Sequence, residues 1–163
     1  MGVTAPSIYT AFGDKKRLFL ESVKLYSDPP EAGQQALDQT ATARDAAHQM
    51  LTSAAIAFTG EATPKGCLLA SATASGSTDA QDVQEAVAAI RRDIMARLEV
   101  RIGRDIDTGR LPSKTDARAL AALVVGVVQG MSVLARDGVG RQVLLAMADS
   151  ALLGWPDAAG TPR

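Results

Sequence analysis

The sequence predicts an all-α protein, on three observations. Apolar residues recur at helical spacing through nearly the whole chain. No period-two run bounded by hairpin turns interrupts them. Capping residues stand in front of the apolar-periodic stretches, and glycine or proline follows them. The 163 residues suit one or two small domains, and a chain of this size buries roughly 70% of the surface its unfolded form exposes. A composition of 47% hydrophobic and 21% charged residues excludes wholesale disorder. One cysteine excludes a disulfide framework and a Cys-rich zinc site. No secretory signal opens the chain, so a reduced, cytoplasmic setting is expected.

The elements follow in order. Thr4 can cap a short helix over 5–12, with Pro6 in its first turn and Gly13 at its end. Asp14 caps a second helix over 15–26, with Leu18, Phe19, Val23 and Tyr26 on its inner side, and Ser27-Asp28-Pro29-Pro30 breaks it. Residues 31–41 are polar and ambiguous. Thr42-Ala43-Arg44-Asp45 resembles a capping box with Asp in place of Glu, and opens a helix to about Thr59. Gly60 to Gly66 is a turn, and Cys67 to Thr73 a short apolar piece. Thr78-Asp79-Ala80-Gln81 opens a long helix to about Thr108. Its stripe is Val83, Val87, Ile90, Ile94 and Leu98, with Met95 and Ile102 beside it. Asp93/Arg97 and Arg101/Asp105 are expected as charge pairs on its wet side. Gly109 and Pro112 end it, Ser113 to Asp116 opens the next helix, and Arg141 to Leu153 forms the last.

The segment 119–135 is apolar apart from Gln129 and Ser132. It falls short of the about 20 apolar residues of a membrane span, and no membrane partner is expected. A helix apolar all round is covered on both sides. Leu120, Leu123, Val127, Met131 and Leu134 suit the subunit's own core. Ala119, Ala122, Gly126, Gln129 and Gly130 permit close helix approach. The last helix offers Leu144, Leu145, Ala148, Ala151, Leu152 and Trp155. Two helices from each of two subunits would form a four-helix, two-fold interface, so a homodimer is expected.

The first 26 residues carry a net charge of +2 and the remainder −3. A small basic end on an acidic body suits contact with a polyanion or, more plainly, a solvated helix face. On the short helix, Ile8, Ala11 and Phe12 point inward, Pro6, Tyr9 and Thr10 outward, and Ser7 lies near the positive helix start. Lys15 and Lys16 add cations on the same side. Exposed hydroxyls and free N–H groups suit phosphate oxygens, and such a helix has the form of a recognition helix in a helix-turn-helix.

At this point the chain resembles the TetR family of bacterial transcriptional regulators. The residues that carry the resemblance are Gly2-Val3-Thr4, Ser7-Ile8-Tyr9, Phe12, Asp14-Lys15 and Leu18-Phe19. Further along they are Gly66-Cys67-Leu68-Leu69, Gly109-Arg110-Leu111-Pro112, Val128 to Ser132 and Ala135 to Gly138. The resemblance implies a helix-turn-helix remnant over 1–27, then an antiparallel helical bundle over 28–163 that binds ligand and dimerises. It implies a repressor that responds to a small molecule and binds double-stranded operator DNA as a dimer. Thr4, Ser7, Tyr9 and Lys15 match positions that touch phosphates, and Ala5 and Thr10 match positions that face bases. The two long carboxy-terminal helices match the dimer interface. Family members carry roughly 30–45 further residues before this point, including the helix that crosses the DNA backbone. The chain therefore reads as a late start or a truncated product. The alternative is a dimeric ligand-binding module that has lost DNA binding.

The resemblance also implies a ligand cavity. Candidate walls are Met50, Ala54 and Phe58, then Cys67, Leu68 and Ala72, with Met95, Leu98, Val124, Val128 and Met131. The same spacing suits core packing. Few polar groups stand among them, so an apolar or aromatic effector is expected, and no cofactor. Cys67 reads as a buried structural thiol, and His48 has no second ligand at metal spacing. No phosphate-cradling Gly loop and no Ser/His/Asp set points to an enzyme.

Overall fold

The computed structural model describes residues 5–27, 39–71 and 81–157. Among them are seven helices and no strand: α1 (Ala5–Phe12), α2 (Lys15–Ser27), α3 (Ala43–Phe58), α4 (Leu68–Ser71), α5 (Gln81–Asp107), α6 (Ala117–Arg136) and α7 (Arg141–Ala151). The helix α1 has the limits expected from Pro6 in its first turn and Gly13 after its end. Gly13 takes a left-handed φ of 81°, which a side chain would resist, and its N–H donates to the Tyr9 carbonyl. The capping box of α3 is present in both directions. Thr42 Oγ1 accepts from the Asp45 N–H, and the Thr42 N–H donates to Asp45 Oδ2. Asp116 caps α6 by accepting from the Ala119 N–H. The Thr78 capping box, Ala72 and residues 31–38 lie outside the described residues.

The helix α6 is the centre of the bundle, packed against α5, α3, α7 and the short α4. The pair α1–α2 stands to one side, joined to the bundle through contacts of α2 with α4 and α5. Leu51, Val87, Ile102, Val124, Met131 and Leu144, drawn from α3, α5, α6 and α7, are fully buried and form the middle of one continuous core. Each such side chain contributes about 1.5–3 kcal/mol of burial.

Three sequence expectations are corrected. Arg101 and Asp105 are not on the wet side of α5. They are only 7% and 2% exposed, and Arg101 Nη1 donates to Asp105 Oδ1 at 2.7 Å. Asp105 Oδ2 also accepts the Ala43 N–H at the start of α3, at 2.7 Å, while Arg101 Nη2 donates to the Thr40 carbonyl. A buried charge is tolerated because it is paired and hydrogen-bonded. Burial by itself would raise the Asp105 carboxyl; the Ala43 N–H and the Arg101 guanidinium outweigh it and hold the group below the usual carboxylate range. Second, Leu123 is half exposed rather than in the core. Met131 is buried as expected, but the rest of the buried face of α6 is Ala121, Val124, Ser132 and Ala135, rotated toward α3 and α5. Third, Ala11 is exposed, leaving Ile8 and Phe12 as the partly buried residues of α1.

Candidate nucleic-acid interface

The site begins with two short-range constraints. Gly13 reverses the chain after α1, and Asp14 Oδ1 accepts the Arg17 N–H, which fixes the start of α2. Ile8 and Phe12 face the pair's interior, so Pro6, Ser7, Tyr9 and Thr10 are turned to solvent, Tyr9 at 55% exposure. Lys15, Lys16 and Arg17 are exposed on the first turn of α2. Of the residues expected to meet DNA, Ser7, Tyr9 and Thr10 share the outer side of α1, with Lys15 exposed just beyond it. Thr4 lies outside the described residues, and of Ala5 only the backbone is described. The Thr10 hydroxyl donates to the Pro6 carbonyl at 2.9 Å. That occupies its donor within the helix and leaves its methyl and its acceptor lone pairs to present outward. Lys16 forms an ion pair with Asp82 on α5, which holds the Asp82 carboxyl below its usual range.

At the far end of α2 the phenol of Tyr26 reaches the bundle. Its hydroxyl donates to Cys67 Sγ at 3.5 Å, and the Cys67 N–H donates to Ser132 Oγ at 2.8 Å. Burial, reinforced by Cys67, pushes the Tyr26 phenol up to about 12. Cys67 is buried, as expected. His48 is exposed, with Nε2 at 3.3 Å from Asp149. Among the described residues no group of three or more His, Cys, Asp or Glu could hold a metal ion.

The ten described candidate cavity walls come together. Met50, Ala54, Phe58, Cys67, Leu68, Met95, Leu98, Val124, Val128 and Met131 all belong to, or pack against, the one apolar core. A cleft of about 260 Å³ lies elsewhere, lined by Arg44, Leu152, Leu153, Trp155 and Asp157. It joins the start of α3 to the residues after α7, a proximity that no spacing in the sequence signals.

The expected interface residues divide. On α6, Ala119, Ala122 and Gly126 are exposed, and Gln129 and Gly130 partly so. Leu123 and Val133 lie on the same side, at 50% and 55% exposure. A Cβ added at Gly126 would meet nothing within 4 Å. The helix is long and apolar enough to cross a membrane by length and composition, yet only 22% of that stretch is buried within the subunit. On α7 the expectation is corrected. Leu144, Ala148, Leu152 and Trp155 are buried in the subunit's own core and Ala151 is partly buried, because α7 turns them onto α3. The face of α7 left uncovered carries Val143, Ala146 and the partly buried Met147. Met147 Cε lies 3.7 Å from the Cβ position of Gly130, so the open faces of α6 and α7 are continuous.

Comparison with known proteins gives consistent results. A family model described as "Tetracyclin repressor-like, C-terminal domain" matches residues 46–137. The HTH-type transcriptional repressor ComR of Escherichia coli (strain K12) is 26% identical over 158 residues, spanning 96% of this chain and 75% of ComR. A cysteine mutant of the TetR family transcriptional regulator CifR, solved in complex with 26bp double-strand operator DNA, is 34% identical with a TM-score of 0.84. That match covers 94% of this chain and 81% of CifR. A second CifR mutant complexed with 26bp operator DNA matches at 33% identity and the same TM-score of 0.84.

Proposed function

The chain belongs to the TetR family of transcriptional regulators, and on that premise we propose that it acts as a dimeric, ligand-responsive repressor that reads operator DNA through α1. The observation that carries the reading is the arrangement of two faces. The outer side of α1 is hydroxyl-bearing and followed by cations, while the open side of α6 and α7 is apolar. The first suits a phosphate backbone and a groove, the second another copy of itself.

Each part has a defined role. Ser7, Tyr9 and Lys15 contact phosphates and fix register. Thr10 faces bases, its methyl against thymine or its oxygen accepting from an exocyclic amine. Thr4 and Ala5 join this set on the family resemblance alone. The dimer forms through Ala119, Ala122, Gly126, Gln129 and Gly130, extended by Leu123, Val133 and Val143. Pairing two heads through one rigid helix fixes the distance between half-sites. Residues 1–27 thus serve as reading head and 28–163 as the ligand-binding and dimerisation body. An apolar or aromatic effector, entering among Met50, Phe58, Met95 and Val128, acts by favouring a head spacing that misfits the operator.

The test is fluorescence anisotropy with the chain and labelled duplexes tiling the DNA upstream of its own coding sequence. Binding of one duplex at least a hundredfold tighter than scrambled DNA is expected, weakening steeply with salt. Equal affinity for operator and scrambled duplex, or no binding to either, overturns the reading.

A further inference from the structure

Three groups connect the reading head to the helix that carries the dimer face. Ser132 lies on α6, fully buried, immediately before the exposed Val133 of the apolar face. Its hydroxyl accepts the Cys67 N–H at 2.8 Å. The Cys67 thiol in turn receives the Tyr26 hydroxyl from the last turn of α2. The Leu68 N–H meets the same phenol oxygen. The piece in the middle is held hard against the bundle. Gly66 approaches α6 so closely that a Cβ there would lie 2.7 Å from the Arg136 side chain and 2.9 Å from the Ser132 carbonyl oxygen. Arg136 Nη1 donates to Ser71 Oγ, and Arg91 Nη1 donates to the Leu69 carbonyl. The segment Gly66–Ser71 therefore moves with α5 and α6, and α2 meets it through a polar tip. Tyr26 as a residue is 48% exposed. A phenylalanine would pack its carbons equally well, so apolar burial does not account for the hydroxyl.

We propose that Tyr26, Cys67 and Ser132 form a positioning relay that fixes the orientation of α2, and with it α1, relative to the dimer helix α6, and so sets the half-site spacing the protein accepts. The proposal rests on the operator-binding reading above for its consequence at DNA, while the relay itself is a property of the fold. None of the three touches DNA; they act through the placement of Ser7, Tyr9, Thr10 and Lys15. Movement of α6 is passed to the segment through the Ser132 hydrogen bond, and to α2 through the thiol–phenol contact. Loss of either contact leaves the head attached by its apolar residues and by the Lys16–Asp82 pair, but with a wider range of angles.

The experiment uses the full chain with Tyr26→Phe, Cys67→Ala and the double variant. The first readout, hydrogen exchange, is independent of DNA. Amides of α2 are expected to exchange at least threefold faster in Tyr26→Phe, while those of α3 and α6 are unchanged. The double variant is expected to match Tyr26→Phe, which already removes both contacts of the phenol, while Cys67→Ala, which keeps the Leu68 N–H contact, is expected to show a smaller effect. The second readout is affinity for operators whose half-sites are moved apart or together by one or two base pairs. The wild type is expected to prefer one spacing by at least tenfold, and the variants by threefold or less, with sedimentation unchanged. Unchanged α2 exchange, or additive effects in the double variant, overturns the relay whatever happens at DNA. Altered exchange with intact spacing preference overturns its role in spacing. A wild type that shows altered exchange on mutation but binds no operator overturns the repressor reading instead, and leaves the relay standing as the head's anchor.

Discussion

Asp105 gives the sharpest test of how the bundle is held together. Replacing it with Ala removes three things at once: the acceptor for the Ala43 N–H, the partner of the Arg101 guanidinium and a contact at 3.5 Å to Arg110. Arg101 is then a buried cation left with the Thr40 carbonyl. Breaking a buried pair by deleting one partner costs about 3–5 kcal/mol, most of it from the charge left behind. At about 3 °C per kcal/mol for a chain of this size, the melting temperature should fall by about 9–15 °C. The assay is thermal and urea unfolding at one fixed protein concentration, because a dimer's stability depends on concentration. Arg101→Met combined with Asp105→Leu removes both charges and fills the space, and should recover most of the loss. A fall of under about 1 kcal/mol in Asp105→Ala, or a double variant worse than the single, would refute the account of a buried, desolvated pair.

Other outcomes follow from the same geometry. Because the Asp105 carboxyl is held below its ordinary range, its stabilisation is full above about pH 4 and is lost as pH falls through the depressed value. Wild type and Asp105→Asn should converge in stability on acidification, as followed by circular dichroism. Tyr26 runs the other way. Its phenol is raised to about 12, so its contribution is intact below pH 10 and fades as pH climbs through 12. Absorbance titration should show a phenol near 12 that disappears in Tyr26→Phe. Leu123→Asp places a carboxylate on the open apolar face of α6 and should shift the protein to monomer in sedimentation, with helix content retained. Lys15→Ala should weaken binding to every duplex alike and reduce the salt dependence of log K by about 1.

Local chemistry was legible where the determinant was local. Gly13, Asp14 and the Thr42/Asp45 capping box each act within a few residues, and the helix ends they imply match the structure, whereas Ser113 to Asp116 marks the next start only as a region, within which Asp116 is the cap. The sides of helices were legible where one side is polar, as on α1. They were not legible on α6, where apolar residues occur all round and the sequence alone does not say which side meets α3 and α5. The apolar pattern therefore points Leu123 inward and gives no sign that Ala121 and Ser132 are buried. The same ambiguity put Leu144, Ala148 and Leu152 at the interface, although α7 spends that stripe on α3. Arg101 and Asp105 show a different failure. An i,i+4 ion pair has one spacing whether wet or dry. The signal that could have found it is that Asp105 stands seven residues after Leu98, on the continuation of the apolar stripe, where a carboxylate requires buried partners. The partner, the Ala43 N–H, is 62 residues away, and no spacing in the sequence announces it.

The apolar excess of α6 and the polar joint at Ser132 belong to one physical arrangement. A helix with only 22% of its apolar stretch buried gains most by pairing with a second copy, and that pairing fixes its axis in space. Once the axis is fixed, whatever is bonded to the opposite side of the same helix inherits its orientation. Ser132 is on that opposite side, next in sequence to Val133 on the open face, and carries the segment that receives Tyr26. On the reading proposed above, the distance between two reading heads is then set by rigid packing across α6. A ligand that displaces α3 or α5 by a fraction of a side-chain width at Met50 or Met95 acts on the same core that seats Ser132, and the core's close packing passes the change on instead of absorbing it. On the relay proposed above, response to a ligand requires Tyr26, which lines no part of the candidate ligand site, as much as it requires the apolar residues around Met50 and Met95. In Tyr26→Phe, effector binding followed by calorimetry should be unchanged, while the effector's influence on operator affinity should fall by at least threefold.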